Sequence, residues 1–302
     1  MNTIPTQSTL FDNTEEHNSS ANSDLNAKVI LHYPNPGIAE LILNHADKYN
    51  AFDDQIITMM IEKLAQAEQN PNLKLLILRS TGKHFSSGAD LNWMKRMANN
   101  SHQENLEDAN QLAKLMQDLN TFSKPTLALV QGAAFGGGVG LAACCDIVIA
   151  TQTARFCLSE VKIGLVPAVI SPYVIRAIGE RQARRYFLSA EIISSEQALS
   201  FGLVHEIVED QNQLDQAADR FIKQLSLNSP QAMAAAKQLI FAVSQKQIED
   251  SVIDYTSHCI ADIRASDEGQ EGLDAFLNKR QANWIFPIEG TTTATNKEKH
   301  DV

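Results

Sequence analysis

Three runs of this chain, "LKLLILRS" (73–80), "PTLALVQG" (125–132) and "DIVIA" (146–150), are apolar at successive positions rather than at alternate ones. A strand with that pattern is buried on both faces, which is the signature of a parallel sheet covered by helices. Parallel neighbours need crossover connections, and the sequence supplies them. Helical spacing of apolar residues runs from about Asp53 to Gln69 and from about Gln103 to Thr121, and a short helix follows the glycines after Gln131. Two further strands, "KVILHY" and "IAELILN", precede the first helix, and "ARFCL" follows the third apolar run. The order is that of a layered α/β domain wound from ββα units. From Ser171 onward helical patterns dominate: "SPYVIRAIG", "GERQARRYFLS", "SSEQALSFG", "DQNQLDQAADRFIKQLSLN", "SPQAMAAAKQLIFAVSQ" and a last one through "AFLNKR". Ser171 and Ser229 each precede a proline, the N-cap followed by N1. These helices form a C-terminal layer suited to docking or assembly.

Composition narrows the function classes. The 302 residues are 44% hydrophobic and 20% charged, ordinary for a globular chain with a sizeable core. A formal charge of -11 with no basic run opposes nucleic acid and anionic membranes as principal partners. The four cysteines, Cys144, Cys145, Cys157 and Cys259, form no CxxC pair and no zinc spacing with His. Buried free thiols in a reducing, cytoplasmic compartment are expected, with no metal. Residues 1–26 are rich in Ser, Asn and Thr, lack the pattern of a signal peptide, and are expected to be a disordered tail; 287–302 form a second polar tail. No stretch has the roughly 20 apolar residues of a spanning helix. The expected organisation is a core over 27–225 and a helical region over 226–286.

The sharpest local feature is "QGAAFGGGVGLAACCD" (131–146). Glycines in regular structure cost roughly 0.5–1 kcal/mol each relative to alanine, so a cluster implies close approach of something to the main chain. Gly138, Gly140 and Ala143 fit G-x-G-x-x-A, with Glu160 about twenty residues on, but a dinucleotide site needs a strand ending at the glycines and a long crossover helix. The strand is expected to end near Val130, and the next begins by Ile147. A phosphate loop also fails, because no Lys-Ser or Lys-Thr follows. The remaining reading is a short helix whose first N–H groups, near Gly136 to Gly138, face an oxyanion. A second loop of similar style, "LRSTGKHFSSGADLNWM" (78–94), leaves a neighbouring strand through Ser86, Ser87, Gly88 and Ala89. Two such loops can supply one N–H each to a single oxygen.

With "GADL", "FGGG", the "CD" strand and a Glu-containing segment in this order, the chain resembles the crotonase (enoyl-CoA hydratase/isomerase) superfamily. The resemblance runs from about Lys28 to Phe286, including "NHADKYNAF" and "AFLNKRQANW". It implies a crotonase-like spiral of ββα units with a C-terminal helical trimerisation region, an acyl-CoA substrate, no cofactor beyond that coenzyme A, and assembly as a homotrimer or dimer of trimers. It gives Ala89 and Gly137 as the two backbone donors to the thioester oxygen, and Glu160 as the catalytic carboxylate. Lys48 and Lys279 match positions near the CoA phosphates. Asn50, Ser87, Gly88, Asp90, Leu91, Trp93, Gly136, Gly140 and Pro167 complete the expected substrate and CoA contacts, with Met94 and Met97 beside Trp93.

One departure stands out. Hydratases of the family carry two glutamates, and the first falls here on Gly140. With "LVPAVISPYVIRAIG" and "ARFCLSEVKIG", the sequence looks closest to bacterial methylglutaconyl-CoA and isohexenylglutaconyl-CoA hydratases, which act on branched acyl chains with a distal carboxylate. The expected activity is hydration of such a conjugated thioester, with Gly140 leaving room for the branched chain. Lys83, His84, Arg155, Tyr173 and Arg176 are unranked candidates for the far carboxylate. A Δ3,Δ2-enoyl-CoA isomerase, which needs one carboxylate only, is the first alternative; a noncatalytic or RNA-binding scaffold is one of another class, opposed by Glu160 and the acidity.

Overall fold

The computed structural model describes residues 27–285, and both expected tails lie outside the described residues. Six strands form the main sheet in the order β1-β2-β3-β4-β6-β9. Strands β1 (Val29–Asn35) and β2 (Ile38–Leu43) are an antiparallel pair. From β2 onward the neighbours β3 (Leu75–Ser80), β4 (Thr126–Val130), β6 (Ile147–Thr151) and β9 (Glu206–Val208) are all parallel. Alternate residues of the apolar runs feed two different cores, as strand geometry requires. Leu76, Leu78, Ala128 and Val130 join the larger one. Leu75, Ile77, Leu127 and Leu129 face the other side, under Leu214, Ala217 and Ala218 of α7 (Gln211–Ser226). Burying a leucine completely contributes roughly 1.5–3 kcal/mol, so the uninterrupted runs hold the sheet between two layers.

The larger core is closed by α1 (Asp54–Glu68) and α3 (His102–Asn120). Asp53 caps the first by accepting from Ile56 N, and it buries Ile56, Ile57, Met60, Leu64 and Ala67 at helical spacing. Ser101 and Glu104 form a capping box on the second. A short helix, α2 (Leu91–Met97), lies between them in sequence, and α4 (Gly137–Cys144) follows the glycines. The two helical patterns after Ser171 are two helices meeting at a kink, labelled together α5 (Ser171–Ser189); Gly179 between them is non-helical, with φ of 76° and ψ of 155°. Next comes α6 (Ser195–Phe201).

A second, three-stranded sheet was not anticipated. It joins β5 (Ala133–Phe135), β7 (Arg155–Cys157) and β8 (Ile193–Ser194). The main-sheet strand β4 ends at Val130 as expected, and a separate short strand, β5, then leads directly into the glycines. The case against a dinucleotide site survives on the helix, because α4 ends at Cys144 and β6 begins at Ile147.

The last helices are α8 (Pro230–Val243), α9 (Asp250–Ala265) and α10 (Asp267–Leu277). Lys237 of α8 is buried and donates to Asp146 Oδ2 at 2.7 Å, which also accepts from Thr126 N and Oγ1. Lys74 Nζ donates to Trp284 O at 2.6 Å. Lys74, Thr126 and Asp146 all sit where parallel strands begin, so this layer is tied to the N-terminal end of the sheet. Ile240, Ile253, Ile260, Phe276 and Leu277 remain exposed on it. All four cysteines are free; Cys144, Cys145 and Cys157 are buried as expected, whereas Cys259 is half-buried. No helix among the described residues is long and apolar enough to cross a membrane.

Candidate active site

At the C-terminal end of the strands the two small-residue loops run side by side. Ser86 N donates to Ala133 O and Phe135 N donates to Ser86 O, both at 3.0 Å, so Ser86 pairs with Ala134 as an extra parallel bridge. Two glycines are needed for this contact. A β-carbon on Gly88, whose φ is 92°, would stand 3.1 Å from Phe135 O, and one on Gly138 would stand 3.1 Å from Ser86 Cβ. Part of the bare backbone is therefore approached by the neighbouring loop rather than by a ligand.

The donors follow from these pairings. Phe52 N donates to Gly88 O at 2.9 Å and Asp90 N donates to Phe52 O at 3.0 Å, which turns the N–H of Ala89 away from Phe52. Gly137 is the first residue of α4, where backbone N–H groups have no intrahelical acceptor. Neither N–H donates to a protein acceptor among the described residues. Ser86, Gly88 and Gly138 are buried, but Ala89, Gly136, Gly137 and Glu160 are half-buried, so these four form the accessible part of the cluster.

Glu160 reaches the cluster through the small sheet. Register pairs Phe135 with Cys157, and Gly136 N donates to Cys157 O at 2.9 Å. The chain then turns into a 3₁₀ segment that begins at Glu160. Its Oε1 would lie 3.1 Å from a β-carbon on Gly136, and its Oε2 is buried with no hydrogen-bond partner among the described residues. Burial raises the carboxyl above the ordinary glutamate range. A carboxylate held in that state, beside two unspent N–H donors, can exchange a proton with a substrate whose oxygen those donors bind.

Other expected contacts fare differently. Asn50 is buried and its amide is committed: Nδ2 donates to Thr81 O and His84 O, and Oδ1 accepts from His45 N, each at 2.8 Å. It fixes the loop and has no donor left for CoA, so its expected ligand role is corrected. Asp90 caps α2, accepting from Asn92 N and Trp93 N, and these backbone bonds lower its pKa. Trp93 is 5% exposed, lies in the larger core and donates to Asp108 Oδ2 at 3.3 Å, so it is a packing residue. Gly140 offers no open space. A β-carbon there would overlap Ile170 Cγ2, stand 2.8 Å from Ile170 Cβ and 3.2 Å from Met116 Sδ. The expectation that its missing side chain makes room for a branched acyl group is overturned by that packing.

Lys48, Leu91 and Lys279 are exposed, Ser87 is half-buried and donates its N–H to Tyr49 O, and Pro167 is buried. Lys279 lies in the turn that folds Trp284 back beside Gly272 of α10, among elements tied to the other end of the sheet. Tyr173 and Arg176 line a cavity of about 180 Å3 around Ala142, Ala143 and Cys145, at the far end of α4 from Gly136. No hydrogen bond or ion pair joins them to Glu160 among the described residues. His84 is occupied by Ala133, whose N–H donates to its Nδ1 at 3.0 Å, with Lys83 and Arg155 close enough to act on its charge. Two parts escaped sequence reasoning: that of Phe52, and the bridge made by Ser86, which reads from the sequence only as a small loop residue. Both depend on long-range pairing, for which the sequence carries no local signal.

Two unspent backbone donors and one half-buried carboxylate at the strand ends of a ββα-wound sheet form an arrangement that can take an acyl group whose carbonyl oxygen becomes negative in a reaction. The chain belongs to the enoyl-CoA hydratase/isomerase family, whose sequence profile matches residues 34–285. It shares 31% identity over 241 residues with the 2,3-dehydroadipyl-CoA hydratase of Escherichia coli K12, covering 80% of this chain and 92% of that protein. The crystal structure of an enoyl-CoA hydratase from Shewanella pealeana superposes with a TM-score of 0.84 at 48% identity, covering 88% of this chain and 99% of that one. AtuE of Pseudomonas aeruginosa superposes with a TM-score of 0.82 at 31% identity, over 86% and 100%. The fold is the crotonase fold, and the protein is an enzyme of the enoyl-CoA hydratase type rather than a scaffold.

Proposed function

We propose that this enzyme adds water to a branched, conjugated acyl-CoA carrying a distal carboxylate, with 3-methylglutaconyl-CoA as the substrate. The observation that carries the chemistry is the carboxyl of Glu160, whose Oε1 stands over Gly136 and whose Oε2 is buried with no hydrogen-bond partner among the described residues. In the cycle, Glu160 takes a proton from water as the oxygen attacks the β-carbon. The displaced electron pair moves to the thioester oxygen, which accepts from Ala89 N–H and Gly137 N–H. Glu160 then returns its proton to the α-carbon. One carboxylate with a raised pKa serves both steps, and losing one preorganised donor costs on the order of 3–4 kcal/mol of barrier.

The acyl group is supported by the sequence resemblance and by the Escherichia coli relative, itself named for a dicarboxylic enoyl thioester. The cycle adds the hydroxyl of water to the β-carbon and a proton to the α-carbon with no external oxidant or reductant, so it calls for no cofactor beyond the coenzyme A of the substrate. Lys48, exposed and close enough to Asp90 to act on its charge, is proposed to meet the CoA phosphates. The exposed apolar side chains of α8, α9 and α10 support a homotrimer or dimer of trimers, and free cysteines fit the cytoplasm. The test is a panel of 3-methylglutaconyl-CoA, 2,3-dehydroadipyl-CoA, crotonyl-CoA and a 3-enoyl-CoA, followed by the conjugated thioester absorbance. Fastest loss of absorbance with 3-methylglutaconyl-CoA supports the proposal. A rise in absorbance with the 3-enoyl thioester alone makes the enzyme an isomerase, which a single carboxylate also permits.

A further inference from the structure

Phe52 touches both donor loops at once. Its backbone holds Gly88 O at 2.9 Å and Asp90 N at 3.0 Å, one residue on each side of Ala89. Its ring, 2% exposed, packs on Gly137 so closely that a β-carbon there would overlap Cζ and stand 2.8 Å from Cε2. The next residue, Asp53, caps α1 through Ile56 N, so the backbone that carries the ring is anchored to a helix in the core. The N–H of Ala89 is thus oriented by the main chain of Phe52, and the start of α4 rests against its ring.

We infer that Phe52 is the positioning residue that sets the separation between the Ala89 and Gly137 donors. This rests on the oxyanion reading of those two N–H groups. The ring acts as a spacer: its edge fixes how near Gly137 can come to the Ala89 loop. A preorganised pair is effective only when both donors already stand where the negative oxygen develops. A shorter side chain at 52 lets the loops close, and a side chain at 137 forces them apart. Both changes misplace the pair, in opposite senses, so together they compensate.

The experiment compares Phe52→Leu, Gly137→Ala and the double variant, each checked for a native melting transition. Steady-state kinetics are run on whichever conjugated acyl-CoA the wild type hydrates fastest. Each single variant is expected to lose at least about tenfold in kcat, with KM changed less than about threefold, because the donors matter most in the transition state. The acid limb of the pH profile stays in place, since Glu160 is untouched. The double variant is expected to turn over at least about fivefold faster than Gly137→Ala, the sign of a coupled pair. A low-activity Gly137→Ala with no rescue by Phe52→Leu overturns the role of Phe52 and leaves the oxyanion reading standing. Full activity in Gly137→Ala overturns both. If Phe52→Leu does not fold, Phe52→Met, closer in volume and flexible, takes its place with the same expectations.

Discussion

Glu160 lies directly over Gly136: the carboxylate oxygen Oε1 occupies the space that a side chain on that glycine would enter, 3.1 Å from an ideal β-carbon. Gly136 also has φ 52° and ψ −119°, a conformation that side-chain-bearing residues rarely adopt. Gly136→Ala therefore strains the backbone and displaces the carboxylate together. The expected outcome is a loss of about 1–3 kcal/mol of stability in urea titrations and a fall in kcat of at least about tenfold. Wild-type kcat in a folded Gly136→Ala protein contradicts this contact.

Gly140 is the second glycine whose replacement is decisive, for a different reason. Ile170 and Met116 fill the space in front of it, both buried. Gly140→Ala is expected to cost about 1–3 kcal/mol by overpacking, and Gly140→Glu more, since a carboxylate is then forced against an apolar wall. Gly140→Glu alone should not gain crotonyl-CoA hydration. Adding Ile170→Ala opens the space and restores folding, as a urea midpoint would register. A fully stable Gly140→Glu protein contradicts the packing.

Two histidines give stability a pH dependence with a defined sign. His84 Nδ1 accepts from Ala133 N and His205 Nδ1 accepts from Val148 N, each at 3.0 Å, so the neutral rings are the bonded forms. Burial is the largest cause lowering both below the ordinary value of 6.5. The unfolded chain takes up these protons first, so their stabilisation is intact above about pH 6.5 and is lost as pH falls toward the folded values. Glu160 acts oppositely: its raised folded pKa means that ionisation destabilises the fold as pH rises through that value. Urea midpoints for a Glu160→Gln protein should fall between about pH 7.5 and pH 5.5, and His84→Asn should flatten that fall. A midpoint that rises over this interval contradicts the assignment.

How much of this was legible in the sequence depended on the range of the forces involved. Strands β3, β4 and β6 could be read because burial on both faces leaves an apolar residue at every position. Strands β5, β8 and β9 have two or three residues each, too few to carry a period, and α9 is not among the helices the sequence patterns single out. Glu160 could be singled out by its place in a family motif, but what fits it for the proposed proton transfer is its position over Gly136 and the burial of Oε2. Gly140 was legible as a missing glutamate and misleading as an open space, because the side chains in front of it come from α3 and from the residue before α5. Asn50 likewise reads as a polar residue near a ligand until its one local and two long-range bonds are known.

In the proposed mechanism Glu160 alone moves the protons of a hydration whose oxyanion is held by Ala89 and Gly137. That mechanism is tested most directly by single-turnover reactions of wild type and Glu160→Gln with 3-methylglutaconyl-CoA in water enriched in heavy oxygen, reading product mass and thioester absorbance together. Solvent oxygen is expected in the wild-type product and, in Glu160→Gln, thioester binding within about threefold of wild type with turnover reduced at least about a hundredfold. Retention of more than about a tenth of wild-type turnover by Glu160→Gln, or a wild-type product without solvent oxygen, contradicts it.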